Sequence, residues 1–217
     1  MEIIIVSKTK MSSNECVGGI AKDSGQSIRL LDSNGNNQPI DCEFEVGEIW
    51  EIEFTIKGNL TPPHTEDVLV TSKTFTKRVI TNLVDWITSN FEDRLWRGSP
   101  DNLFDSQIDF TPSGSGFISA SKGVPSLSVG FWISDKDLTR KDFSGKVRYN
   151  YPSAGNWRSI TYVGKADPID KIPAGTLMRV SLARWWRPDD SDEEERCFLQ
   201  LSGWYQDKLA ALKDIAF

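Results

Sequence analysis

The apolar residues of this chain come in short runs of strand length, and clusters of glycine and proline separate those runs. Residues 3–6 and 48–56 are two examples. In the second run, Trp50, Ile52 and Phe54 alternate with acidic or polar residues, which is the pattern of a strand with one buried face. The 16 glycines and 10 prolines supply turns between such runs. The sequence therefore predicts a mainly β protein.

Two segments show helical periodicity instead. In residues 77–91, apolar side chains including Ile80 and Ile87 fall at helical spacing. The last residues, 205–217, also place their leucines near one face of a short helix. We therefore expect a helical connector with a loop over residues 77–126, and a short C-terminal helix.

Three segments of the first half recur in the same order in the second half. The aligned pairs are 44–54 with 172–182, 27–30 with 159–162, and 68–69 with 198–199. In the first pair, Gly47 matches Gly175, and an alternating strand follows each glycine. This order favours a tandem duplication of a unit with about five short strands, typical of OB-folds, SH3-like barrels or related Greek-key units. A short sandwich is the alternative.

Several longer segments carry a family resemblance. They are IIIVSKTKM, CVGGI, SIRLL, EVGEIWEI and PPHTEDVLV in the first half, with VSLARWWRP and RCFLQLSGWY near the end. On these segments the chain resembles the dual OB-containing domain, a bacterial family. The resemblance implies two OB-like barrels in tandem, and it carries no catalytic residue over to this chain. The predicted organisation is an OB-like barrel over residues 1–76, the connector over 77–126, and a second OB-like barrel over 127–217.

The segment Arg184-Trp185-Trp186-Arg187 is the most unusual part of the sequence. Adjacent residues in a strand face opposite sides, so at least one of the two indoles lies outside the core of that barrel. An outward indole could stack on a base while the flanking guanidinium groups contact phosphates, as in single-strand binding by OB-folds. We therefore take these four residues as candidates for a nucleic-acid-binding surface.

Tyr151, Trp157, Arg158 and Tyr162 are candidates to extend that surface, because they are aromatic or basic and lie in the same predicted barrel. The alternative is that the aromatic rings are packed between two small barrels. Eight tryptophans are ample for such packing, and arginine often stacks on aromatic rings. The sequence leaves this choice open.

The first barrel offers a smaller basic site formed by Lys8, Lys10 and Arg29. An apolar strand followed by serine, lysine and threonine is also found in phosphate-binding loops, but the glycines that such loops require are missing here. We therefore treat these three residues as candidate contacts to nucleic acid only.

The single histidine of the chain, His64, lies beside Glu66 and Asp67. A metal site needs three or four converging ligands, and a general base needs a nucleophile or substrate within reach. The three residues are therefore a possible polar site and the basis for a third hypothesis, a metal-dependent enzyme. The alternative is that His64 packs at a barrel rim. We assign no metal and no catalytic residue.

Charge is distributed unevenly along the chain. Residues 1–76 carry 6 basic and 12 acidic side chains, whereas residues 127–217 carry 14 basic and 13 acidic ones. Six of those 13 acids lie within residues 189–195. That run is typical of a solvated loop, and a second hypothesis is that it covers a basic groove until a partner displaces it.

These patterns exclude several classes. No apolar run is long enough to span a bilayer. Because Glu2 follows Met1 at a place where an export signal needs a basic residue, we expect no export signal. Three scattered cysteines fit a reducing cytoplasm. We expect a cytoplasmic, non-enzymatic binding module without a cofactor. Single-stranded nucleic acid is the first choice of partner, and a role as a protein-interaction adaptor in a bacterial multi-protein system is the alternative. The oligomeric state is not predicted.

Overall fold

The computed structural model of the protein describes residues 1–11, 13–154, 156–190 and 192–206. It confirms the prediction of a mainly β fold. The chain divides into two compact units: unit 1 holds residues 1–60 and 66–93 together with Tyr205 and Gln206, and unit 2 holds Thr61–Thr65 and Arg94–Trp204. The predicted C-terminal helix falls almost entirely on residues 207–217, which lie outside the described residues.

Unit 1 contains a closed barrel. Its strands in the described part of the chain are β1 (Glu2–Met11), β2 (Asn14–Ala21), β3 (Ser27–Leu31), β4 (Gln38–Pro39), β5 (Glu48–Ile56) and β6 (Asp67–Val79). Their order in the sheet is β1–β5–β6–β3–β2–β4, and an additional antiparallel pairing of β1 with β2 closes five of them into a ring. The β3–β6 pair is parallel, and the other neighbours are antiparallel.

The barrel closes around the inward faces of its strands. On β5, Trp50 and Ile52 are buried in the core, whereas Glu51 and Glu53 are exposed. This is the alternation that the sequence predicts for the middle of the run; at its ends the prediction is wrong, since Ile49 is buried and Ile56 is exposed, and the pairing of β5 with β6 shifts register next to Trp50 and Phe54. Burying apolar side chains on one face of each strand is the main stabilising contribution to such a small barrel.

The segment 77–126 contains only short helical elements in its described residues. They are α1 (Leu83–Asn90), the helical turn α2 (Leu103–Ser106), and 3₁₀ turns at Glu92–Arg94 and Pro100–Asn102. Helix α1 is shorter than the predicted helix because Arg78 and Val79 still pair with β5, and the side chain of Asn82 caps its first turn. Contacts place residues 77–93 in unit 1 and residues 94–126 in unit 2. No helix among the described residues is long and apolar enough to cross a membrane.

Unit 2 is built on a larger sheet. Its strands are β7 (Leu95–Arg97), β8 (Asp109–Phe110), β9 (Gly116–Ser119), β10 (Val129–Ile133), β11 (Leu138–Phe143), β12 (Lys146–Ser153), β13 (Asn156–Tyr162), β14 (Lys171–Ile172), β15 (Leu177–Leu182) and β16 (Arg196–Trp204). The sheet order is β14–β11–β12–β13–β16–β15–β10–β7, and β9 joins β16 to β8. Trp132, Tyr149 and Ile160 are fully buried in its core.

The two units repeat one strand order. Strands β10–β15–β16–β13–β12 follow one another as β1–β5–β6–β3–β2 do, and each series contains one parallel pair in the same place. The three sequence pairs aligned above fall on β5 and β15, β3 and β13, and β6 and β16. Gly47 and Gly175 precede β5 and β15 with φ of 98° and 81°, a region that favours glycine. The units differ in closure: among the described pairings, β12 is joined to β11 and β13 but not to β10.

Candidate functional site

Strands β12 and β13 of unit 2 present a polar face on the side opposite the core. Their register pairs Arg148 with Thr161 and Asn150 with Ser159. Side chains alternate across a strand, so these four residues share one face, while Tyr149 between them is buried in the core. Two pockets lie along this face.

The first pocket has a volume of about 270 Å³. Two of its aromatic rings are largely exposed, Trp157 at 50% and Phe143 at 65%, whereas Asn150 is only 8% exposed. The residues that line it are Pro112, Ser113, Lys141, Phe143, Arg148, Asn150, Trp157 and Ser159.

The second pocket has a volume of about 380 Å³. Trp186 is 55% exposed there, and its ring centroid lies 6.1 Å from that of Phe198. The residues that line it are Ser115, Lys146, Arg148, Ser159, Thr161, Ala183, Trp186, Phe198, Leu199 and Gln200.

Both pockets are lined by Arg148 and Ser159, and all their lining residues belong to unit 2. We call the two pockets together the β12–β13 groove. It has an exposed indole in each pocket, Trp157 in the first and Trp186 in the second. Flat rings open to solvent are the surfaces on which nucleobases stack.

The groove is positively charged. Lys141, Lys146 and Arg148 line it, and no aspartate or glutamate is among its described lining residues. In the described part of the chain, no carboxylate lies within ion-pair distance of either lysine. The Nη1 of Arg148 donates to Ser115 Oγ at 3.0 Å. The Nε of Arg148 and the Oδ1 of Asn150 are buried and have no hydrogen-bond partner among the described residues. An unpaired buried polar atom costs free energy unless a ligand or water supplies the partner.

The two adjacent tryptophans predicted to face opposite sides have different environments. Trp185 packs against the unit 2 core, and its indole N–H donates to the Pro62 carbonyl at 2.7 Å. Trp186 lines the groove. Arg184 and Arg187 are exposed, but neither lines the two pockets. Of the Arg184–Arg187 candidates, the structure therefore brings only Trp186 to the groove.

Three of the residues proposed to extend this surface are not on it. Tyr151 is buried, and its hydroxyl donates to Asp135. Tyr162 packs against the core and donates to the Ala166 carbonyl at 2.8 Å. Burial raises the pKa of Tyr162 to about 12, and the neighbouring Tyr149 and Asp167 add to the shift.

Arg158 lies on the same face of β13 as Tyr162 and not on the groove face. Its guanidinium stacks on the Phe110 ring at 3.9 Å from the centroid and pairs with Asp101 at 3.0 Å. Two-residue alternation puts Arg158 and Trp157 on opposite sides of the strand. Trp157 is thus the one member of the extending set that lines the groove.

The basic residues proposed in the first barrel lie in unit 1, and two of the three form ion pairs there. Lys8 is almost fully buried and lies 3.3 Å from Glu15 and 2.9 Å from Glu45. Burial is the largest single effect and opposes the charge of Lys8, but its hydrogen bonds to Glu45 and Glu15, together with the negative groups around it, outweigh that effect, so the pKa of Lys8 is raised. Arg29 donates twice to Asp67, at 2.7 Å for each bond. Lys10 is exposed.

The possible polar site of His64, Glu66 and Asp67 is divided between the units, since His64 belongs to unit 2 and the two acids to unit 1. His64 is buried, and its Nε2 donates to the Leu182 carbonyl at 3.1 Å. Its Nδ1 is buried and has no hydrogen-bond partner within the described ranges. Asp67 holds Arg29. Among the described residues, no three histidine, cysteine or carboxylate side chains converge as metal ligands.

The acidic run 189–195 begins just beyond the groove. Trp186 and Arg196 exchange backbone hydrogen bonds of 3.0 and 2.9 Å, and the run lies between them. The Glu194 carboxylate accepts from the backbone N–H and the hydroxyl of Ser121 at 2.6 and 2.7 Å. These bonds lower the pKa of Glu194. No described residue of the run lines the groove.

Most of the groove-lining residues were not predicted from the sequence, among them Phe143, Lys141, Lys146, Arg148 and Asn150. A signal for them is present in the sequence. Ser144 and Gly145 form the turn of the β11–β12 hairpin, and both have positive φ. Alternation on either side of that turn would have placed lysine, phenylalanine and arginine on one face.

Comparison with known proteins identifies one family. The sequence model of the dual OB-containing domain matches residues 1–204 of the chain. No curated protein shows significant sequence similarity to this chain. Among solved structures, the crystal structure of the p204 HINb domain aligns with 93% of this chain and 95% of its own, at 9% sequence identity and a TM-score of 0.33. A TM-score this low does not establish a common fold.

Proposed function

The chain belongs to the dual OB-containing domain family, and from that premise we propose that unit 2 is its second OB-like barrel and binds single-stranded nucleic acid in the β12–β13 groove. A dual OB-containing domain has two OB units by definition, and the closed barrel of unit 1 corresponds to one of them. The repeated strand order supports the assignment of unit 2. Oligonucleotides are common ligands of OB-folds.

The observation that carries the proposal is the combination of exposed indoles with unpaired cations. Trp157 and Trp186 each expose about half of their surface, and Lys141, Lys146 and Arg148 lie between or beside them without a carboxylate partner in the described residues. Stacking on aromatic rings suits any base, and cations along a groove suit the backbone. This composition favours a single strand, whose bases are free to stack, over a duplex.

The negative net charge of the whole chain, −6, does not oppose binding at this groove. Screening limits charge interactions to about 10 Å at moderate ionic strength, so the local cations dominate at the groove. The carboxylate of Glu194, in the nearby acidic run, is already engaged by Ser121. We therefore expect an affinity that falls with added salt.

The test is anisotropy of a labelled mixed-sequence single strand of about 20 nucleotides, longer than the 4–16 nucleotides that one OB-fold covers. Trp157→Ala and Trp186→Ala should each weaken binding roughly 5- to 150-fold, because a stacked base contributes about 1–3 kcal/mol. Trp157→Phe keeps a stacking ring and should retain most of the affinity. Ile56→Ala, at an exposed apolar residue of unit 1, is the matched control and should bind as the wild type does.

Two results would contradict the proposal. One is unchanged affinity in the folded double variant Trp157→Ala/Trp186→Ala. The other is the absence of salt-sensitive binding to single-stranded DNA and RNA by the wild-type protein. The second result would favour the adaptor hypothesis, in which the same exposed rings contact a protein.

A further inference from the structure

We infer that the β12–β13 groove binds two linked nucleotides and that Arg148 contacts the phosphodiester group between them. This inference rests on the proposed function and goes further, because it defines the smallest ligand and gives one side chain a specific partner. It excludes a free mononucleotide as the preferred ligand.

The two pockets follow each other along one ladder of paired strands. On β12, the first pocket is lined by Arg148 and Asn150, and the second by Lys146 and Arg148. On β13, the same two-residue step leads from Ser159 to Thr161. A step of two residues along a strand is about 7 Å. That distance is comparable to the separation of neighbouring phosphates in an extended single strand, so consecutive pockets suit consecutive nucleotides.

Among the described lining residues, Arg148 is the only cation common to both pockets. Lys141 lines the first and Lys146 the second. When each pocket holds one nucleoside, the group at the junction is the phosphate that links them. A guanidinium has five N–H donors. In Arg148 the Nη1 donates to Ser115, and the Nε has no partner in the described part of the chain. An anionic phosphate oxygen is the acceptor that arginine binds best.

The experiment compares a thymidine dinucleotide, TpT, with its methylphosphonate analogue, in which the single linkage is neutral. Both are titrated into the full chain by NMR chemical-shift changes, with thymidine monophosphate as the one-pocket ligand. In the wild type, TpT should bind more tightly than the monophosphate, and the neutral linkage should cost about tenfold or more, as expected for a hydrogen bond to a charged group.

The decisive measurement is the same pair of ligands with Arg148→Gln. The neutral linkage should then cost less than about threefold, because the partner of the phosphate is gone and the two changes are not additive. Lys141→Gln is the matched control: it lowers affinity for charged ligands generally but should preserve the full penalty of the neutral linkage. Arg148→Lys, which keeps the charge, should retain part of that penalty.

Equal penalties in wild type and folded Arg148→Gln would overturn the inference, as would a monophosphate that binds as tightly as TpT. If longer single strands still bind in a manner that depends on Trp157 and Trp186, only this inference fails. If no single strand binds, the proposed function fails with it. Thermal melting of each variant shows whether it is folded.

Discussion

The two units share a strand order but use their basic side chains in opposite ways. In unit 1, Lys8 is paired with Glu15 and Glu45, and Arg29 is paired with Asp67. Glu15 and Asp67 are almost completely buried. Each of these cations therefore neutralises a carboxylate that the barrel could not otherwise hold in its interior.

In unit 2, the groove cations have no such partners among the described residues. Arg29 of β3 and Thr161 of β13 occupy equivalent positions in the aligned segments. Opposite Thr161, β12 carries Arg148, whereas opposite Arg29, β2 carries Gly18. Lys141 and Lys146 have no carboxylate of the described residues within ion-pair distance. A cation paired with a buried acid stabilises the fold, and one left unpaired on an open face is available to a ligand. We therefore expect substitutions of the paired cations in unit 1 to change stability, and substitutions of the groove cations in unit 2 to change binding.

The largest effect should come from breaking a pair in unit 1. Lys8→Met removes the cation beside the buried Glu15 and should lower the free energy of unfolding by about 3–5 kcal/mol, the usual effect of removing one partner of a buried pair. Urea-induced unfolding of the full chain measures it. Binding of single strands by the remaining folded protein should be unchanged, because Lys8 is not in the groove.

The matched change in unit 2 is Lys141→Gln, which should alter stability by no more than about 0.5 kcal/mol because the side chain is exposed. Glu15→Gln added to Lys8→Met should recover part of the loss, since it removes the unpaired charge. A stable Lys8→Met protein would mean that the cations of unit 1 do not have the structural role given to them here.

An intermediate effect is expected on binding. Lys141→Gln/Lys146→Gln should reduce the slope of log affinity against log salt by about 1.4, since each phosphate contact to a single strand contributes about 0.7. At about 0.1 M salt this corresponds to a roughly 20-fold loss of affinity. Anisotropy titrations at several salt concentrations give the slope directly.

The matched control for a single lysine is Lys10→Gln, an exposed cation of unit 1. Its slope should equal that of the wild type, while Lys141→Gln alone should lower the slope by about half as much as the double variant. A similar reduction by Lys10→Gln would remove the distinction between the units, because it would place phosphate contacts on both.

Much of the fold could be predicted from the sequence, because strand alternation is a local pattern. Trp50 and Ile52 are buried as expected, and the aligned segments around Gly47 and Gly175 lie on strands in equivalent places. The extent of α1 could not be predicted, since the pairing of Val79 with Glu48 is a contact between distant parts of the chain. That contact outweighs helical periodicity in residues 77–79.

The candidate site was harder to predict because it depends on which face a side chain takes. Trp157 and Trp186 were identified by their chemistry alone. Tyr151 and Arg158 have suitable chemistry but lie on other faces, and the register between β12 and β13 that decides this is not visible in either strand by itself. The β11–β12 turn could have placed Arg148 beside Lys141, but its position opposite Thr161 depends on the β12–β13 register.

The smallest effect is expected from Tyr162→Phe on the core side of β13, which should change stability at alkaline pH without changing binding on the groove side. The folded phenol of Tyr162 has a pKa of about 12, and an unfolded one ionises near pH 10. The unfolded state therefore loses its proton first, and stability falls as the pH rises from about 10 to about 12. Tyr162→Phe removes this contribution and should reduce the alkaline loss by roughly 1 kcal/mol. Urea unfolding at pH 9 and pH 11 measures the loss in both proteins. Lys8, whose pKa is also raised, contributes equally to the alkaline loss in both proteins and cancels in the difference.

Affinity for single strands at neutral pH should be the same in Tyr162→Phe and wild type, because alternation holds this ring on the core side of β13. A marked loss of affinity would show that the two faces are coupled, and the division between packing residues and groove residues would have to be redrawn.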